Sequence, residues 1–154
     1  MNDSFTNWDV WCTGPGLAFD SGADPTNRRY PIDSLAKLLE KYPVDGGDRV
    51  FVDTGVYPVT DASRILLDGR NKGNSEYGPL KIYGSTNFQA GGAVLAGNGT
   101  ANGIDLQNTR DIEIYDLRVS NAVNGIALLN VSDAILEGLE LFNNATNGIW
   151  SFGS

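Results

Sequence analysis

NGIALLNVSDAILEGLELFNNATNGI, residues 124–149, begins and ends on the same three residues. Asn-Gly-Ile also stands at 102, so its starts at 102, 124 and 147 lie 22 and then 23 residues apart. A repeat of this length marks a solenoid, in which each repeat is one unit stacked on the last. Set side by side, NGIDLQNTRDIEIYDLRVSNAV (102–123) and NGIALLNVSDAILEGLELFNNAT (124–146) match Asn108 with Asn130, Asp111 with Asp133 and Asn121 with Asn143. The apolar positions match too: Ile104 with Ile126, Leu106 with Leu128, Ile114 with Leu136, Leu117 with Leu139, and Val119 with Leu141. Within each repeat they alternate with polar residues in short bursts, the period of strands and not of helices. Asn, Asp, Gly and Ser, the turn formers, sit between the bursts.

Three short strands and three turns in 22 residues describe one coil of a parallel β-helix, with the next coil about 4.8 Å away. The spacing predicts an all-β parallel β-helix. Stacking places like residues above one another, so an inward Asn at a turn can bond its copy in the next coil. Such a bond nets only about 0.5–1.5 kcal/mol, whereas a buried amide left unpaired costs about 1–3 kcal/mol. An Asn ladder therefore specifies register more than it adds stability. A leucine-rich horseshoe is the rival, because Leu136, Leu139, Leu141 and Asn144 fit its L-x-x-L-x-L-x-x-N pattern. One repeat earlier the Asn position holds Ala122, and upstream the pattern is absent.

Upstream the period blurs, but strands remain legible. GDRVFVDTGVY (47–57) reads as a strand ending in a Gly turn. Ile65–Leu67, Leu80–Tyr83 and Ala93–Leu95 continue the stack, and RNKGNSEYG (70–78) reads as a protruding polar loop. Before these, Ile32, Leu35, Leu38, Leu39 and Tyr42 share one face of a helix predicted over 32–42. Asp33 or Ser34 can cap its start and Pro43 ends it. A first coil offers open apolar interior and unpaired edges, so this amphipathic helix is expected to cover it. WDVWC (8–12) is expected to add a strand to the cover. The expected organisation is a cap over 1–46 (strand, loop, helix) and coils over 47–154.

The chain of 154 residues carries 19 acids, 11 bases and no His, a net charge of −8. Residues 1–100 hold 12 acids and 9 bases, and 101–154 hold 7 acids and 2 bases. An acidic surface repels phosphate backbones, which sets nucleic acid aside as a partner. The lone Cys12 forms no internal disulfide and reads as a small, buried apolar residue. No apolar run approaches the roughly 20 residues of a membrane span. The start, MNDSFTNWDVWC, shows no signal peptide.

The order DVWCTGPG…DSGADPTNRRYPIDSLAKLLEKY…GGDRVFVDTGVYPV, followed by an Asn-Gly-rich repeat, resembles the start of right-handed, pectate-lyase-like β-helix domains of large secreted or surface bacterial proteins. In that family a strand, a loop and a capping helix precede a first coil with the pattern carried here by Gly47, Asp48, Val50, Val52, Asp53, Gly55 and Tyr57. The resemblance spans essentially the whole chain. It implies the fold and a secreted or cell-surface location. It does not imply an activity, because the scaffold hosts unrelated ones. The Asp trio and the G-H-G and R-I-K motifs of the family's polygalacturonases are absent, as is the epimerases' Asp-Pro-His-Glu cluster. Nothing matches the base and calcium carboxylates of its lyases closely enough to transfer residues.

Chemistry is best sought on the two full repeats. Stacked Asp111 and Asp133 would lie about 5 Å apart, with Arg110 beside the first and Glu137 and Glu140 on the second coil. Such a carboxylate pair suits acid–base work on a glycosidic bond or Ca²⁺ binding, and both Asp residues equally suit turns. Asp20 and Asp24 in FDSGADPTN (19–27) are a second candidate Ca²⁺ pair or an Asx-rich turn. Tyr115, Phe142 and Trp150 are candidates for a sugar-stacking stripe, with Tyr115, Glu137 and Glu140 the carbohydrate-contacting set.

The chain stops at NGIWSFGS, one strand into a new coil. This predicts the N-terminal piece of a longer solenoid and, for the chain alone, end-to-end self-association through an uncapped coil. The expected function is a non-catalytic extracellular or surface module, structural and carbohydrate-contacting. The alternative is part of a lyase or glycoside hydrolase acting on acidic polysaccharide.

Overall fold

The computed structural model describes residues 10–12, 16, 24, 26, 29 and 31–154. Twelve strands follow one short helix, α1 (Leu35–Lys41). The first coil is β1 (Arg49–Val52), β2 (Gly55–Val59) and β3 (Leu66–Leu67). The second is β4 (Leu80–Gly84), β5 (Ala93–Gly97) and β6 (Ile104–Gln107). The third is β7 (Arg110–Tyr115), β8 (Leu117–Ser120) and β9 (Asn124–Leu129). The fourth is β10 (Ser132–Glu137), β11 (Glu140–Phe142) and β12 (Asn147–Phe152).

Every third strand pairs in parallel, giving three four-stranded sheets: β1-β4-β7-β10, β2-β5-β8-β11 and β3-β6-β9-β12. This is a right-handed parallel β-helix, the hand that twisted strands favour in parallel crossovers. Ile104 lies against Ile126 and Ile126 against Ile149, one column of the interior. Leu80, Ile82, Leu95, Leu106, Ile112, Ile114, Leu117 and Val119 fill the rest of the core without solvent exposure.

The corners explain why Asn and Asp recur. Asn108, Asp111, Asp116, Asn121, Asn130, Asp133 and Asn143 all have φ between 51° and 54°. That left-handed conformation is costly for most L residues and cheap for Gly, Asn and Asp. Where the repeat drops an Asn or Asp, a glycine takes over. Gly138 (φ 65°) follows Asp116, Gly153 (φ 65°) follows Asn130, and Gly99 (φ 80°) precedes Asn121.

The Asn ladder is present and has a direction. Asn147 Nδ2 donates to Asn124 Oδ1 (2.9 Å), and Asn124 Nδ2 donates to Asn102 Oδ1 (2.9 Å). Asn102 Nδ2 ends the run on Asp105 Oδ1 (2.6 Å). A second column joins Asn130 Nδ2 to Asn108 Oδ1 (3.1 Å).

The stretch 47–57 is two strands and not the single strand expected. Asp53 and Thr54 turn the chain between them, and the Asp53 carboxylate is fully buried at the corner. It accepts from the backbone N–H of Val10 (2.6 Å), Trp11 (2.6 Å), Cys12 (2.5 Å) and Thr54 (2.8 Å). A buried carboxylate stays tolerable when donors surround it. Tyr57 closes the corner by donating its hydroxyl to Asp53 O (2.9 Å).

The described part of 8–12, residues 10–12, forms no strand and is tied to the coil through that carboxylate. The helix is also shorter than the predicted 32–42. Ser34 is its N-cap, accepting from Lys37 N–H, and Tyr42 is its C-cap, one residue before Pro43. Leu35, Leu38 and Leu39 face the first coil's core as predicted. Loop 70–78 is anchored at one end: Asn71 is buried, with its Nδ2 donating to Val44 O (2.8 Å) and its carbonyl accepting from Thr109 Oγ1 (2.6 Å).

Candidate functional site

The outer face of sheet β1-β4-β7-β10 carries two columns. One runs Arg49, Lys81, Glu113, Ile135, and the other Phe51, Tyr83, Tyr115, Glu137. In the second column the rings stack on one another. Phe51 and Tyr83 have centroids 5.4 Å apart at 17°, and Tyr83 and Tyr115 have centroids 5.2 Å apart at 12°. Trp11 adds a tilted ring beneath Phe51 at 5.1 Å, placed there by the Asp53 anchor.

Rings this close and this parallel stack with a lateral offset. Each ring's face is therefore partly covered by its neighbour. Among the described residues no ring lies above the face of Tyr115 turned toward the fourth coil, and Glu137 is its neighbour in register there.

The polar groups around Tyr115 are linked. Its hydroxyl donates to Glu113 Oε2 (2.7 Å), and Lys81 Nζ lies 2.5 Å from the same oxygen. The hydrogen bond to Glu113 pushes the Tyr115 pKa up to about 12. Lys81 chiefly holds the Glu113 carboxyl below its ordinary range.

Of the carbohydrate-contacting set, the structure thus brings Tyr115 and Glu137 together and places Glu140 elsewhere. Glu140 is on β11, in the next sheet, bound to Arg118 Nε (2.6 Å). The expected aromatic stripe does not form. Tyr115, Phe142 and Trp150 lie on β7, β11 and β12, one in each sheet. Phe142 lies under the Arg118 guanidinium (5.3 Å to the ring centroid), and Trp150 stacks with Phe152 (centroids 6.3 Å apart). The coil period is the reason: 27 and 35 residues are not a whole number of 22-residue coils, so these positions fall in different sheets.

Asp111 and Asp133 occupy equivalent places, flanked by the register pairs Ser132–Arg110 and Ala134–Ile112. Both adopt the left-handed corner conformation, and Arg110 Nε lies 3.6 Å from Asp111 Oδ2. Among the described residues no three His, Cys, Asp or Glu side chains come together. A Ca²⁺ ion at this pair would draw its remaining ligands from backbone carbonyls and water. Asp24 accepts from the N–H (2.9 Å) and hydroxyl (2.7 Å) of Thr26, an Asx turn whose hydroxyl bond lowers its pKa. Asp20 lies outside the described residues.

The ring column escaped the sequence reading, although its signal is there: Phe51, Tyr83 and Tyr115 are spaced 32 and 32 residues apart. The upstream coils are longer than 22 because loops interrupt them, so a search at the short period passes over them.

Compared with family models, curated proteins and solved structures, the chain matches none. What stands of the pectate-lyase-like resemblance is the architecture: coils of three strands, parallel sheets and stacked Asn residues.

Proposed function

We propose that this chain is a non-catalytic β-helix module of a secreted or cell-surface protein, mainly structural, which contacts carbohydrate at Tyr115 and Glu137. One observation carries the reading. The last ring of the outer column turns an unstacked face toward an exposed carboxylate, which suits a sugar's C–H face and its hydroxyls respectively. Stacking supplies area at low entropic cost, and the carboxylate supplies orientation.

The acid–base state of five described carboxyls and of Tyr115 supports the non-catalytic half. A general acid near neutrality needs a raised carboxyl pKa. Asp24, Glu40, Asp68, Glu113 and Glu140 are all displaced downward, by hydrogen bonds from Thr26, Lys41, Arg70, Lys81 and Arg118 respectively. Tyr115, pushed up to about 12, is a poor base at neutral pH.

The test is affinity electrophoresis in gels containing neutral or acidic polysaccharide, run beside an absorbance assay for unsaturated sugar products. Retardation that Tyr115→Ala and Glu137→Gln weaken, without product, is the expected result. Product formation would replace this reading with the lyase alternative, and mobility unchanged in every gel would overturn the contact.

A further inference from the structure

Three tripeptides have the form Asn-x-Ser/Thr with x other than Pro: Asn98-Gly99-Thr100, Asn130-Val131-Ser132 and Asn144-Ala145-Thr146. Asparagine-linked glycans are attached at this pattern, on surface loops of exported chains. The three stand in different surroundings. We propose that Asn98 is an acceptor for an asparagine-linked glycan, and that folding withdraws the other two from the reaction. In the cell the reaction rests on the secreted or cell-surface location proposed above. The acceptor chemistry itself does not, and Tyr115 and Glu137 take no part in it.

Asn98, Gly99 and Thr100 form the loop that leaves β5, and all three are exposed. Asn98 Oδ1 accepts from the Thr100 N–H (3.2 Å) and hydroxyl (2.6 Å). Among the described residues nothing accepts from its Nδ2. Two donors on Oδ1 draw electrons from the amide, so its free N–H gives up a proton more readily. The Gly99 N–H is held by Asn121 O (2.7 Å), yet a Cβ added at Gly99 would meet nothing within 4 Å. The loop is fixed at its base and open at its side.

The other two are built into corners. Asn144 is half-buried and tied at both ends of its amide: Oδ1 accepts from the Ala122 N–H (3.0 Å), and Nδ2 donates to Val119 O (3.5 Å). The N–H groups of Ala145 and Thr146 are bound to Ala122 O and Val123 O (both 2.8 Å). Asn130 Nδ2 is already given to Asn108, and the residue that follows, Val131, is buried. Ser132 opens β10 with its N–H on Thr109 O (3.2 Å). Offering either tripeptide to an enzyme means undoing bonds between the third and fourth coils, whereas offering Asn98 does not.

The co-substrate is a sugar diphosphate, whose diphosphate carries a nucleoside or a membrane lipid. Nδ2 of Asn98 bonds to the anomeric carbon of the sugar as that carbon's bond to the diphosphate oxygen breaks. The leaving diphosphate takes the electron pair, and a base of the transferase takes one proton from Nδ2. Nothing is oxidised or reduced. The product keeps Oδ1, so the turn with Thr100 survives attachment.

The experiment exposes the folded chain to two transferases that recognise Asn-x-Ser/Thr. One is soluble and fed a nucleoside diphosphate hexose, and the other is membrane-bound and fed a lipid-linked oligosaccharide. Mass spectrometry follows each tripeptide. At least one arm should load Asn98, at least about tenfold faster than Asn130 or Asn144, the factor that one to two net hydrogen bonds set at 25 °C. The arm that succeeds identifies the donor. Thr100→Ala should abolish loading with Tm unchanged, because the hydroxyl's bond to Asn98 is exposed and local, and Thr100→Ser should restore it in part. Retardation of Thr100→Ala in polysaccharide gels should match the parent chain, which separates this outcome from the contact at Tyr115. Asn98 unloaded in both arms, Asn130 or Asn144 loaded as fast in the folded chain, or Thr100→Ala loaded like the parent would each overturn the proposal.

Discussion

The third and fourth coils carry the same repeat and have opposite fates. Ile126 has no solvent exposure, while its copy Ile149 is 48% exposed. Ile114, Leu117 and Val119 are fully buried, while Leu136, Leu139 and Leu141 are only partly so. On the outside of the fourth coil, Trp150 and Phe152 are 41% and 65% exposed. Composition does not separate the two coils. What separates them is that, among the described residues, one has a neighbour on both sides and the other on one. In a solenoid the burial of a residue is supplied by the next repeat, so identical side chains carry different energetic weight along the stack.

Core truncation should break the comparison most sharply. Ile126→Ala should cost about 2–5 kcal/mol, because the cavity is walled by coils on both sides. Ile149→Ala, already half in solvent, should cost under about 1 kcal/mol. Equilibrium denaturation of the two variants measures both, and equal losses would mean that the fourth coil is packed as tightly as the third.

The ladder gives the next largest contrast. Asn124→Ala removes an acceptor from Asn147 and a donor to Asn102 in one change, for about 1–3 kcal/mol. Asn147→Ala removes one bond at the last rung, for about 0.5–1.5 kcal/mol. Thermal melts of the pair read the difference.

The smallest effect concerns the ion pairs that cross between coils, Lys81–Glu113 and Arg118–Glu140. Both carboxyls are depressed below the ordinary 4.5 of a glutamate, chiefly by the partner's hydrogen bond. Their contribution is therefore fully present above about pH 4.5 and is lost as pH falls through the folded-state values. Tm followed from pH 7 to pH 3 should hold level and then drop in acid. Lys81→Met should soften the drop more than Arg118→Met weakens the fourth coil, because Glu113 is the better covered of the two acids. Both changes should stay below the loss from Asn124→Ala.

The same contrast explains how far the sequence could be read. From residue 102 onward the 22-residue period, the inward columns and the Asn ladder were all legible, because one coil's pattern repeats without interruption. Before residue 102 the register was hidden by loop 70–78 and by the turn around Phe88–Ala90, which stretch the coils and mask the 32-residue spacing of the rings. Asp111 and Asp133 stood out because they recur, and the left-handed backbone alone is enough to make them recur. Tyr115 and Glu137 were named, but their adjacency was visible only once the strands were in register. The role of Asp53 was out of reach, since its partners lie 41–43 residues earlier in the chain.

That carboxylate rivets the leading segment to the first coil. Three successive backbone N–H groups of the leading segment close on one side chain, where neighbouring strands elsewhere share a row of bonds. A zipped edge opens tooth by tooth, each step small. Three bonds gathered on one carboxylate let go together, and Trp11 takes its ring contact with Phe51 with it, so residues 10–12 should leave the coil as a unit while the stack beneath them stays wound.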